Sequence, residues 1–165
     1  MKKQMFLILV LVFTFAITTG KAVAQQETAT GIEIEKDLQL LRRNLRSEKK
    51  KIIAMNVPLT ETEATKFWPV YDEYAASMTK HYDDFYEIIK EYAATQKTLT
   101  DAQAIDMVKR WSTIQVALAQ TRQRYVSIVE KVLPGKKAAQ FFQVDRRLYS
   151  LVDLQIASEI PLVIQ

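Results

Sequence analysis

His81 is the only histidine in a chain of 165 residues that contains no cysteine. Met78 lies three residues before it and Asp84 three after, so all three can share one face of a helix. A thioether, an imidazole and a carboxylate at that spacing invite a metal reading. One histidine, no cysteine and no second cluster supply too few soft ligands for Zn²⁺ or Cu²⁺ within one chain. No metal site is expected unless two copies share one near Met78 and His81, and a surface histidine beside carboxylates is the simpler reading. Nucleophilic catalysis is served no better, because neither a Ser–His nor a Cys–His pair has a supporting third group. The three glycines, Gly20, Gly31 and Gly135, stand far apart, so there is no Gly-rich phosphate loop. Asp83 and Asp84 read as helix-surface charges. The sequence therefore predicts no catalytic residue, no cofactor and no enzymatic activity.

The basic residues are better organised. "RRNLRSEKKK" places Arg42, Arg43, Arg46, Lys49, Lys50 and Lys51 within ten residues, with only Glu48 opposed. Arg42, Arg46 and Lys50 recur every four residues and form one stripe beside the Leu38/Leu41/Leu45 edge. Cations bordering apolar surface can attract acidic or partly unfolded chains, then hold them by weak apolar contact. The alternative is a solvated face that aids solubility. An aromatic-rich run, "KFWPVYDEY" with Tyr82, Phe85, Tyr86 and Tyr92 beyond it, has helical spacing and reads as core. Tyr86 lies off the main stripe and is expected to be the exposed exception.

Two features at the N-terminus precede the folded part. Lys2 and Lys3, the apolar run Met5 to Thr19 and the small residues "AVA" at Ala22 to Ala24 have the form of a secretory signal cleaved after Ala24. The run is short for a spanning helix, so no membrane insertion is expected after cleavage. Residues 25–31 read as a polar, flexible leader, and 32–165 as one helical domain. Loss of Lys2, Lys3 and Lys21 takes the formal charge from +4 to +1, which together with export argues against nucleic-acid binding. Without cysteine, an exported chain must be stabilised by packing or by oligomerisation.

The elements that would position these residues are helices. Apolar residues step by three or four at Ile34, Leu38, Leu41, Leu45, Ile52 and Met55, apart from a gap at the charged Glu48. The rhythm continues at Tyr71, Tyr74, Met78, Tyr82, Phe85, Ile89 and Tyr92, then at Trp111, Ile114, Leu118, Thr121, Tyr125, Ile128 and Val132. Phe141, Val144, Leu148 and Leu151 mark a fourth run. "NVPLT", "TQKTLT" and "LPG" separate the four runs, Pro134 suits the first turn of the last, and Pro161 stops it. "LTETE" at Leu59 and "LTDAQ" at Leu99 open the second and third helices. Thr60 and Thr100 are N-caps, with Glu63 and Gln103 at the third position to complete a capping box. Leu59 and Leu99 precede the caps and can staple against Ala64 and Ala104.

A second helix of 35 residues would span roughly 50 Å, against a diameter near 37 Å for a compact ball of this chain length. The fold class expected is all-α: an elongated, four-helix, hairpin-like domain with long amphipathic helices. Pro69 bends the second helix, or the hairpin is extended, or both. Such a chain cannot cover all its apolar faces alone, and a homodimer is expected.

Paired Leu-Thr-x-x-Gln-type motifs that open long helices, behind a signal peptide and without cysteine, resemble the Spy/CpxP family of periplasmic proteins. "LTDAQ" matches the motif in full, and "LTETE" carries Glu63 where Gln is expected. The resemblance implies a bent, all-α, antiparallel dimer whose concave face holds unfolded or partly folded proteins without ATP. It implies a periplasmic stress-response role, with Arg42, Arg43, Arg46, Lys49 and Lys50 on the client surface. Two alternatives remain open within it: a regulatory module docking on the periplasmic domain of a membrane sensor, and a metal-responsive sensor.

Overall fold

The computed structural model describes residues 48–163. The expected signal segment (1–24), the expected leader (25–31) and Arg42, Arg43 and Arg46 lie outside the described residues. The chain is all-α: among the described residues there are four helices and no strand. These are α1, over 48–56, then α2 (Glu61–Thr95), α3 (Asp101–Val129) and α4 (Gly135–Glu159). No described helix is long and apolar enough to cross a membrane.

Both long helices start as the sequence predicts. Thr60 Oγ1 accepts from the Glu63 N–H at 3.3 Å, and the Thr60 N–H donates to Glu63 Oε2 at 2.8 Å. Thr100 and Gln103 repeat the exchange at 3.3 and 2.9 Å. Two orphan donors are thus satisfied at each start. Leu59 packs against the main core, while Leu99 packs with Ile88, Tyr92 and Met107. Pro134 is the N-cap of α4 instead of a first-turn residue, with no side-chain capping bond. Ile160 is extended, at φ −92° and ψ 116°, as a residue before proline should be, and α4 ends there.

The pairings fix the directions. α3 runs back along α2, bringing Arg110 to Glu91, His81 to Thr121 and Tyr74 to Tyr125. α4 is parallel to α2: the Tyr74 hydroxyl donates to Asp145 and the Tyr82 hydroxyl to Asp153, a constant offset of 71 residues. α1 is antiparallel to α4, with Lys49 at Asp145 and the Gln140 amide donating to the Asn56 carbonyl. The main core is Ile53, Val57, Phe67, Tyr71, Tyr74, Met78, Leu118, Tyr125, Val129, Phe141 and Tyr149.

Several apolar residues of the expected stripes are not in it. In α1 and one residue past its end the buried positions are Ile53 and Val57, and Met55 is 75% exposed. The inward face steps by four through Lys49, Ile53 and Val57, so the pattern is continuous only if a lysine belongs to it. On α4 the inward face runs Ala138, Phe141, Asp145, Tyr149 and Ile156, leaving Leu151 outside. Trp111 is 45% exposed at the edge of α3. Tyr86, expected outside, is buried with Ile89 and Ile156, because α4 covers that side of α2 as well. Pro69 sits on the exposed side of the unbroken α2.

Candidate functional site

The basic residues within the described part are engaged by the fold. Lys49 Nζ lies 2.9 Å from Asp145 Oδ1 and 3.5 Å from the Tyr149 ring centroid, with only 12% of its side chain exposed. Asp145 is fully buried, and it also faces Arg122 Nε at 3.8 Å and accepts from Tyr74 at 2.6 Å. Burial lowers the Lys49 pKa, with the nearby Arg122 cation acting the same way, and this outweighs the pull of Asp145. Lys50 binds Asp72 at 2.7 Å and covers the Trp68 ring. Lys51 stays exposed beside Glu48. Lys49 therefore does not present its ammonium at the surface, which corrects its expected place among the client-surface residues.

The capping residues carry one unexpected contact. Glu63 Oε2, already bonded to the Thr60 N–H, also receives Lys137 of α4 at 2.5 Å. Lys137 is the leading cause, with the Thr60 backbone second, of a carboxyl held below its usual range. Gln103 has no such ion pair to make. The glutamate in "LTETE" thus ties α4 to the start of α2. Met78 and His81 do not form a site with Asp84: Met78 is core, Asp84 is exposed, and His81 Nε2 lies 3.0 Å from Thr121 Oγ1. No group of three His, Cys, Asp or Glu side chains converges among the described residues.

The feature the sequence does not point to is an apolar groove at the end of the hairpin. The C-terminal part of α2, the N-terminal part of α3 and the end of α4 diverge around a volume of about 600 Å³. Its floor includes Ile88, Tyr92 and Met107, and its rim includes Val108, Trp111, Leu162 and Val163. The tail that closes one side is held by the Tyr92 hydroxyl, which donates to the Pro161 carbonyl at 2.9 Å. Trp111 leans on Phe85 with near-parallel rings, 6.3 Å between centroids. Asp153 is the one charged lining residue among those described. A volume of this size is typical of ligand and side-chain pockets, which are lined mostly by apolar groups. A smaller recess of about 450 Å³ lies between α2 and α4 beside Lys49 and Lys50, and it shares Phe85, Ile89 and Ile156 with the groove.

Chemically, the groove can bury apolar side chains; it brings no nucleophile and base together. The sequence holds its residues without marking them as a site: periodicity assigns Trp111 to the core, and "PLV" follows the stop of the last helical run. No family model, no curated protein and no solved structure matches the chain.

Proposed function

We propose that this chain is an ATP-independent, periplasmic, chaperone-like protein that binds apolar segments of unfolded or partly folded proteins. The observation that carries the reading is the groove: an apolar volume rimmed by large side chains that the fold leaves in water, with Leu162 at 88% exposure. Apolar surface held open on a rigid helical frame favours transient capture of exposed apolar side chains. Export, with cleavage after Ala24, and the stress-response role come from the sequence and from the Spy/CpxP resemblance. The client surface in this proposal moves from the lysines of α1 to the hairpin end.

A homodimer belongs to the same proposal, and the outward face of α3 supports it. Ile105, Val108, Ser112, Val116, Ala119, Gln123 and Val126 are all exposed, carry no charge and share an arc of about 80° on the helix. Outward faces of helices in a lone domain are normally charged or polar. Reversing α3 end for end maps this strip onto itself, with Ile105 falling on Val126, Val108 on Gln123 and Ser112 on Ala119. That self-complementarity suits a two-fold, antiparallel pair.

The test is suppression of aggregation, followed by light scattering of a denatured client. Wild-type protein at a few-fold molar excess should reduce scattering, and Trp111→Asp with Leu162→Asp should abolish most of that effect while keeping the helical circular dichroism. Unchanged scattering with wild-type protein defeats the chaperone reading. A pull-down that returns one stoichiometric partner would favour the regulatory-module alternative instead.

A further inference from the structure

We propose that the groove selects apolar polypeptide segments that carry a lysine or arginine beside the apolar run, the cation meeting Asp153. The inference rests on the client-binding reading above and adds the class of segment recognised. Asp153 is half-buried on α4 and stands among apolar groups, with Phe85, Ile156 and Ala157 lining the same wall. Its one hydrogen bond among the described residues comes from the Tyr82 hydroxyl at 3.0 Å, and it makes no ion pair among them. Tyr82 is itself fixed, stacked on Tyr149 at 4.9 Å between centroids. The carboxylate is therefore held in place and short of a cation.

Charges next in sequence to lining residues Tyr92, Met107 and Trp111, though not themselves in the lining, point the same way. Arg110, the cation of α3 at this end, is claimed twice, by Glu91 at 2.6 Å and by Asp106 at 3.0 Å. Two carboxylates on one guanidinium leave that cluster negative. Lys109 lies about 160° around the helix from Trp111 and does not offset it. A negative charge in a cleft with low-dielectric walls focuses its field into the cleft, so cations are drawn in and carboxylates repelled. A lysine side chain suits the site because its methylene stem can lie on Ile156 and Ala157 while the ammonium reaches the carboxylate. This charge sense is opposite to that of the basic α1 stripe, whose described lysines are paired internally.

Fluorescence anisotropy with dye-labelled peptides tests it. Three peptides share one apolar core and differ at a single flanking residue: Lys, Gln or Glu. The Lys peptide should bind about fivefold more tightly than the Gln peptide, and the Glu peptide more weakly than either, a spread that added salt compresses. Asp153→Asn keeps an acceptor for Tyr82 and should erase the ranking among the three peptides. Equal affinity for all three peptides, or a ranking that survives Asp153→Asn, overturns the inference and leaves apolar binding intact. Failure of every peptide to bind overturns the client-binding reading on which it rests.

Discussion

Asp145 concentrates the buried electrostatics of the molecule. One carboxylate, out of water, faces two cations from two other helices and a tyrosine hydroxyl. Burying such a group is expensive unless its partners stay in place, and removing one partner leaves uncompensated charge. Asp145→Asn keeps an acceptor for Tyr74 but leaves Lys49 and Arg122 facing each other without an anion. It should lower stability by about 3 kcal/mol or more, read as a fall in the urea midpoint. Glu63 poses a milder problem that pH resolves. Its pKa is depressed in the folded state, so its contribution is complete above the ordinary carboxyl value of 4.5 and is lost as pH falls through the folded value. Glu63→Gln preserves the capping box, as Gln103 does naturally, and removes only the link to Lys137. Wild type should therefore melt higher than Glu63→Gln at neutral pH, and the gap should close on acidification below 4.5. A gap that persists at acid pH would show that the carboxylate contributes through something other than its charge.

At the scale of the element, the face of α2 is a ladder of phenols. Tyr71, Tyr74 and Tyr82, with Tyr149 of α4, are all pushed well above the usual tyrosine value, first by burial and then by Asp145, or by Asp153 for Tyr82. Above pH 10 the unfolded chain releases these protons while the folded chain keeps them, so stability falls as pH rises. Lys49 acts in the opposite sense, because its lowered pKa makes the unfolded chain the better proton binder just below 10.5. Four groups outweigh one. The melting temperature should drop steeply above pH 10, and tyrosinate absorbance should appear together with loss of helix rather than before it. The long helices, the threonine caps of α2 and α3 and the stop before Pro161 were legible in the sequence, since periodicity and capping are local properties. The inward phase of α1 and α4 was not, because in each a charged residue occupies a core position. Reading Lys49 into the register of Ile53 and Val57, and Asp145 into that of Phe141 and Tyr149, would have found both faces and their mutual partner. The groove escaped for a different reason: it is a property of how three helix ends diverge, and no single helix encodes it.

For the whole molecule, what needs explaining is that α3 is apolar on two faces, whose centres lie about 120° apart around the helix. Leu118, Tyr125 and Val129 serve the core, while Ile105, Val116 and Val126 face water. Pairing two copies along a strip about 32 Å long and one helix wide removes on the order of 1,000 Å² of accessible surface, the lower edge of a specific interface. The dimer should accordingly be concentration-dependent rather than permanent. Val116 sits next to the two-fold axis of that pairing, so Val116→Glu brings two carboxylates together and should weaken association at least about tenfold. At an exposed position the same change should leave the monomer's melting temperature nearly untouched. Sedimentation velocity across a concentration series reads both forms. The absence of cysteine adds a positional check: Val116→Cys should form a disulfide-linked dimer on oxidation, and Gln123→Cys, far from its own copy, should not. A wild-type chain that sediments as a monomer throughout, or a Gln123→Cys variant that cross-links equally well, would remove the strip as an interface. The two-faced pattern of α3 would then lose its explanation.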